Sequence, residues 1–118
     1  MDDIFEMHLQ SDIFKLVATG EKTFEIRVND LKRQKIKVGN IVTFIDREDQ
    51  TKKVSCKVEN LFYFKTFVEL FHNIKKEDCG FSPKLTADQI EDFCLQFFSA
   101  EEIHKYGLVV LQIKKVKI

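Results

Sequence analysis

Hydrophobic and polar residues alternate close to the N-terminus, over residues 5–9. Alternation with a period of two is typical of a strand that buries one face. The hydrophobic segment that follows stops at Gly20, a residue suited to the left-handed conformation found at helix C-termini. The pattern therefore predicts a strand and then a short helix, which Ser11 or Asp12 would cap.

A second alternating segment occupies residues 22–28. Successive side chains of a strand point to opposite faces, so this segment has a hydrophobic face and a polar face. Because Lys22 lies at the start of the strand, its side chain can lean toward the polar face. The hydrophobic face carries Phe24, Ile26 and Val28, and the polar face carries Thr23, Glu25 and Arg27.

Further strands are predicted in the rest of the chain. Residues 41–45 and 52–60 flank a polar loop at residues 46–50, which predicts a hairpin. Residues 61–64 are apolar on both faces, as expected where a helix covers the outer face of a sheet. Residues 108–118 are predicted to form the closing strand.

Helices are predicted before the closing strand, because the S/T-x-x-E/Q capping pattern occurs three times. These helices begin after Thr66, Thr86 and Ser99, and the second carries hydrophobic residues at helical spacing as far as Phe98. Helices inserted early and then as a block favour an α+β fold. We expect a small mixed or antiparallel β-barrel with helices packed around it.

The composition fits one domain over residues 1–118, since 44% of the residues are hydrophobic and can form a core. No segment approaches the roughly 20 apolar residues of a membrane span, and residues 1–3 do not resemble the start of a signal peptide. The three cysteines have no CxxC spacing, which indicates reduced thiols and a cytoplasmic location. Nothing in the sequence requires a cofactor or a metal ion, since only distant residues such as His72 and Cys79 could converge on one.

The formal net charge is zero, which argues against binding nucleic acid through a strongly basic surface. The candidate chemistry lies instead in Lys22, Glu25 and Arg27. Arginine can bind a phosphate or a base edge through two parallel hydrogen bonds. Glutamate can accept a hydrogen bond from an exocyclic amine of a base. Lysine can contact phosphate, or act as a base or nucleophile when burial lowers its pKa. The alternative is an exposed Glu25–Arg27 ion pair beside a solvated Lys22. We expect the stability of the fold not to depend on these residues, so that an alanine substitution of any one of them leaves a folded domain at a cost of about 0.5 kcal/mol.

The pattern Gly20-x-Lys22-x-x-Glu25-x-Arg27 resembles the signature of the ASCH family, which belongs to the PUA-like barrels. Residues 36–44 resemble the family's turn and strand, although Asn40 replaces the usual aspartate. The resemblance continues through a strand and Phe-rich helix at residues 58–71 and a closing helix and strand at residues 99–110.

The resemblance implies a β-barrel whose cleft, between barrel and helices, is lined by Lys22, Glu25 and Arg27. Members of the family are proposed RNA-binding modules. We therefore expect RNA or a nucleotide as the ligand, with a single-stranded or flipped base in the cleft. The basic residues 32–37 would follow the backbone, and Tyr63 or Phe64 would offer a stacking surface.

A branch of the family resembles amidohydrolases that remove an acetyl group from modified cytidine by means of a lysine, a threonine and a glutamate. Lys22 matches that lysine, but Glu25 occupies the position of the threonine. The downstream glutamate corresponds to Glu69 or Glu77. Glu25 as a general base, with Lys22 stabilising an oxyanion, would still permit hydrolysis. A related ribonuclease and a protein-interaction module with an exposed apolar patch also remain open.

Overall fold

The computed structural model describes residues 4–117, so residues 1–3 and Ile118, where the predicted closing strand would end, lie outside the described residues. The strands are β1 (Phe5–Leu9), β2 (Phe24–Val28), β3 (Ile41–Asp46), β4 (Lys53–Phe64) and β5 (Leu108–Lys115). The helices are α1 (Ser11–Thr19), α2 (Phe67–Asn73), α3 (Ala87–Cys94) and α4 (Ala100–Tyr106), with short 3-10 helices at Arg33–Lys35 and Glu77–Cys79. None of the helices in this part of the chain is long and apolar enough to cross a membrane.

The strands form one mixed sheet in the order β1-β3-β4-β5-β2. β1 is parallel to β3, and the other neighbouring pairs are antiparallel. The sheet curls into a half-barrel with the helices packed around it, which confirms the predicted α+β class. β1 and β2 are the two edges of the sheet, so the barrel is open between them.

A hydrophobic core lies on each face of the sheet. The first core includes Phe44 and Leu111 and is covered by α1. The second includes Leu70, Ile90 and Val110 and joins the sheet to α2, α3 and α4. Successive residues of β5 enter opposite cores, and this explains why its first four residues are all buried.

The alternation predicted for β2 is present in the structure. Ile26 and Val28 are buried in the second core, beneath the helices. Because alternate side chains of a strand point to opposite faces, Glu25 and Arg27 project to the other side of the sheet, at its open edge.

The start of α1 differs from the prediction that Ser11 or Asp12 caps the helix. Gln10 is the capping residue, and its side chain makes no capping hydrogen bond. Ser11 instead donates to the Asp46 carboxylate at 2.5 Å, which joins α1 to the end of β3. The other three caps are confirmed, since side-chain oxygens accept from the first turns of their helices at Thr66, Thr86 and Ser99.

Two element boundaries also differ. β4 is one continuous strand, and within it Phe62 and Tyr63 are 37% and 58% exposed. The expectation that helices cover this end of the strand is confirmed for Phe64, which packs against the second core, and is wrong for Phe62 and Tyr63. α3 ends at Cys94, whereas helical spacing predicted that it would continue to Phe98.

Candidate functional site

A cleft lies at the seam between the edge strands β1 and β2, and α3 with its following turn forms the opposite wall. Lys22, Glu25 and Arg27, the residues singled out in the sequence, all line it. Its cavity volume is about 90 Å³. One water molecule needs about 15 Å³ on this measure, so the cleft has room for a small planar group.

Lys22 is held in place by backbone contacts on two sides. Its amide N–H donates to the backbone carbonyl of Leu16 in α1 at 2.9 Å. The next amide, that of Thr23, donates to the backbone carbonyl of Asp78 at 3.0 Å. Gly80 lies against the lysine stem, since a Cβ there would be 3.3 Å from Lys22 Cδ. The side chain is consequently only 6% exposed, which contradicts the alternative of a solvated lysine.

Glu25 bridges the two cations of the cleft. Its Oε1 accepts from Lys22 Nζ at 2.7 Å, and its Oε2 accepts from Arg27 Nη2 at 3.2 Å. The same Arg27 nitrogen donates to the His8 carbonyl of β1 at 3.2 Å. The ion pairs therefore extend across the open seam and connect the two edges of the sheet.

The electrostatics keep Glu25 ionised despite its burial. Burial is the largest single influence and on its own raises the pKa of this carboxyl. The charges of Lys22 and Arg27, together with their hydrogen bonds, outweigh burial and hold the pKa below its ordinary value of 4.5. A carboxylate stabilised in this way is a weak base, because proton uptake would break two charge-assisted contacts.

The cations retain donors that no described residue satisfies. Lysine has three N–H donors, and Lys22 Nζ makes one hydrogen bond to the described residues. Arginine has five N–H donors, and the two hydrogen bonds of Arg27 both involve Nη2. Nε and Nη1 of Arg27 and two protons of Lys22 Nζ therefore remain available for oxygen or nitrogen acceptors.

An aromatic wall lines the same cleft, and the sequence did not predict it. Phe93 and Phe97 line the cleft although their side chains are 38% and 43% exposed. Phe81 packs edge-on against Phe93 with ring centroids 5.9 Å apart, and Phe93 against Phe97 with centroids 5.5 Å apart. Their spacing in the sequence is that of an ordinary helix core, and no feature of the sequence distinguishes these two residues from buried ones.

The other residues proposed for binding lie elsewhere. Tyr63 and Phe64, the predicted stacking residues, line a separate depression beside α4. The basic residues 32–37 do not line the cleft, and neither Glu69 nor Glu77 does. The exposed Arg47 does line it and adds a further positive charge.

Thiol and metal chemistry have little basis at this site. All three cysteines are free and buried. Burial raises the pKa of Cys79 and Cys94 to about 12 and that of Cys56 to about 11, so the reactive thiolate is disfavoured. Within residues 4–117, no group of three or more metal-ligating side chains is present, at His72 and Cys79 or elsewhere.

Comparison with known proteins identifies relatives of the whole chain. The sequence model of the ASCH domain matches residues 7–117, whereas no curated protein matches the chain. The hypothetical protein PH0355 is similar in structure, with a TM-score of 0.78, 26% sequence identity and coverage of 97% of this chain and 100% of that chain. Protein PF0455 from Pyrococcus furiosus has a TM-score of 0.72 and 24% identity, with 98% of this chain and 100% of that chain covered.

The crystal structure of ASCH from Zymomonas mobilis is a more distant neighbour. Its TM-score is 0.58 and its identity 11%, with coverage of 94% of this chain and 66% of that chain. At this identity the likeness concerns the fold alone. Together with the domain match, it confirms the PUA-like fold that the sequence motifs implied.

Proposed function

Since this chain belongs to the ASCH domain family, we propose that it binds RNA or a nucleotide, with one base held in the cleft lined by Lys22, Glu25 and Arg27. The observation that carries this proposal is the juxtaposition of buried, incompletely satisfied cations with an exposed phenylalanine wall. Base binding needs donors or acceptors for the base edge and an apolar surface for the base face. The cleft offers both within one small cavity.

The charge distribution supports local recognition. The chain has no net charge, so a large number of phosphate contacts would not be expected. Among the residues that the structure describes, the cations Lys22, Arg27 and Arg47 nevertheless outnumber the one carboxylate that lines the cleft, that of Glu25. This local excess attracts an anionic ligand to the cleft without making the whole surface basic. The free thiols fit our proposal of a cytoplasmic protein.

Hydrolysis of acylated cytidine, or of RNA, has less support. Glu25 would have to act as the base, yet both of its oxygens are engaged by cations and its pKa is lowered. Glu69 and Glu77, the candidates for a second carboxylate, do not line the cleft. The contacts of Glu25 are those of a residue that orients Lys22 and Arg27.

The proposal is tested by titrating labelled single-stranded RNA with the wild type, Lys22→Met and Phe93→Ala. Methionine keeps the length of the lysine stem but removes the charge. We expect at least a tenfold loss of affinity for Lys22→Met. For Phe93→Ala we expect the loss of about 1–3 kcal/mol that accompanies removal of a stacking surface.

Tyr63→Ala is the matched control, because Tyr63 is an exposed aromatic residue outside the cleft. It should bind RNA as the wild type does. Equal affinity of all four proteins would place the RNA elsewhere and contradict the proposal. Chromatography of the same samples, and of parallel samples with acetylated cytidine, detects cleaved or deacetylated product, whose appearance would favour the hydrolase.

A further inference from the structure

On the basis of the proposed function, we infer that the cleft selects bases by the keto oxygen at C4 of a pyrimidine or C6 of a purine. Uracil, guanine and hypoxanthine would bind in preference to cytosine and adenine, whose corresponding ring carbon carries an amino group. The inference follows from which polar atoms at the floor of the cleft are already satisfied and which are free. It concerns the chemical class of the ligand, and the proposed function itself does not depend on it.

The hydrogen-bond acceptor at the floor of the cleft is already engaged by protein donors. Glu25 is the only carboxylate among residues 4–117 that lines the cleft, and the sequence predicted that it would accept a hydrogen bond from an exocyclic amine. Each of its oxygens instead accepts from a cation, Oε1 from Lys22 and Oε2 from Arg27. With only 5% of its side chain exposed, the carboxylate is covered by these two partners. A base amine therefore meets the cations before it meets the carboxylate.

The hydrogen-bond donors of Arg27 and Lys22 are only partly used within the protein. The two contacts of Arg27 Nη2, to Glu25 and to the His8 carbonyl, fix the plane of the guanidinium. Nε, Nη1 and the remaining protons of Lys22 Nζ stay free of partners among the described residues. Arginine and lysine characteristically bind the O6 and N7 acceptors of guanine. A keto group satisfies such donors, whereas an amino group opposes donor to donor and leaves them unpaired.

The ligand oxygen that accepts from Lys22 and Arg27 could belong to a base or to a phosphate. A phosphate would also satisfy Lys22 and Arg27. It would gain nothing from Phe93 and Phe97, whose exposed rings face the same cavity. An aromatic ring system uses both features, since its face stacks on phenylalanine while its edge meets the cations. The arrangement therefore favours the base.

The experiment is a calorimetric titration of the full chain with two matched pairs of nucleoside monophosphates. Inosine monophosphate and adenosine monophosphate share sugar and phosphate, and carry a keto oxygen and an amino group, respectively, at C6. Uridine monophosphate and cytidine monophosphate differ in the same way at C4. We expect the keto member of each pair to bind at least about fivefold more tightly, the lower end of the discrimination that bidentate base contacts give. Inorganic phosphate should bind more weakly than either keto nucleotide.

Two variants separate edge recognition from general attraction. Arg27→Lys keeps the charge but removes the planar fork, so the keto preference should fall below about twofold. Arg47→Gln removes an exposed cation of the cleft and should weaken all four nucleotides alike while the preference persists. Circular dichroism and the thermal unfolding temperature show that each variant is folded. If Arg27→Lys retains the full preference, the guanidinium edge does not read the keto oxygen, and the assignment of this role to Arg27 is overturned.

The outcomes distinguish this inference from the proposed function. If keto and amino nucleotides bind equally, or if amino nucleotides bind better, the keto inference is overturned while nucleotide binding stands. If phosphate binds as tightly as the keto nucleotides, the cleft is a phosphate site. Where mononucleotides bind too weakly to measure, five-residue oligouridine and oligocytidine give the same comparison. If these also fail to bind, both the inference and the proposed function are rejected.

Discussion

Lys22 and Glu25 form a charged pair whose side chains are largely removed from water. Their side chains are 6% and 5% exposed and 2.7 Å apart. Burying two charges is costly, and their attraction compensates only while both partners remain. The expectation of a surface-like cost for replacing these residues is therefore unfounded, because the sequence does not reveal that α1 and the turn at Glu77–Cys79 enclose the pair.

Glu25→Ala should lower the free energy of unfolding by about 3 kcal/mol, because it leaves Lys22 as a buried cation without its partner. Lys22→Met should cost less, since Glu25 keeps its contact with Arg27. Urea unfolding followed by circular dichroism measures both changes. Glu6→Ala, which removes an exposed carboxylate of β1, is the matched control and should stay within about 0.5 kcal/mol. A Glu25→Ala variant as stable as this control would mean that the pair is solvated.

At the scale of elements, features with a local physical cause were predictable. Strand alternation located β1 and β2, and caps located the starts of α2, α3 and α4, because both depend on neighbouring residues. The end of α3 was not predictable in this way. Phe93 and Phe97 have helical spacing, but the helix stops at Cys94 and the second ring reaches the cleft from the following turn. Only tertiary packing determines where that turn directs its aromatic residues.

Gly80 connects the 3-10 helix at Glu77–Cys79 to the position of Lys22. Its φ is +85°, and a Cβ would lie 3.3 Å from both Lys22 Cδ and Leu16 Cδ1. We expect Gly80→Ala to reduce stability by about 1–2 kcal/mol through its left-handed backbone. It should also weaken RNA binding, since the lysine stem must move.

Gly39→Ala separates these two effects. Gly39 has a φ of +95°, but a Cβ there would meet nothing within 4 Å. This variant should lose comparable stability in a denaturant titration and still bind RNA with wild-type affinity. Equal binding by both glycine variants would show that Lys22 tolerates displacement, and the backbone contacts at Leu16 and Asp78 would then be sufficient to position it.

At the scale of the whole molecule, the candidate site occupies the opening of an incomplete barrel. Its polar floor comes from one short stretch, Lys22–Arg27, and this is why sequence reasoning could find it. Its aromatic wall, formed by Phe93 and Phe97, comes from much later in the sequence, from a block of helices whose placement depends on the second core. Arg27 also closes the seam by donating to the His8 carbonyl. The proposed ligand binding and the closure of the half-barrel would therefore depend on the same side chain.

The ion pairs of Glu25 with Lys22 and Arg27 predict how the stability of the fold depends on pH. The pKa of Glu25 in the folded protein lies below its ordinary value of 4.5, so the folded state binds protons less readily there than the unfolded state. The contribution of Glu25 is therefore fully present above about pH 4.5 and is lost as the pH falls through the lower, folded-state pKa. Asp46, whose pKa is lowered chiefly by the hydrogen bond from Ser11, adds a loss in the same direction.

Glu25→Gln isolates the part of this dependence that belongs to the cleft, because glutamine has similar size but does not titrate. The urea midpoint of the wild type should fall steeply between about pH 5 and pH 3, and that of the variant should fall less. The variant should also be less stable at pH 7, where the wild type has its full ion pair. Asp46→Asn is the control for acid sensitivity outside the cleft and should leave RNA affinity at pH 7 unchanged. Parallel pH curves for wild type and Glu25→Gln would mean that Glu25 has the same pKa in the folded and unfolded states, and the cations of the cleft would then not be held by a buried anion.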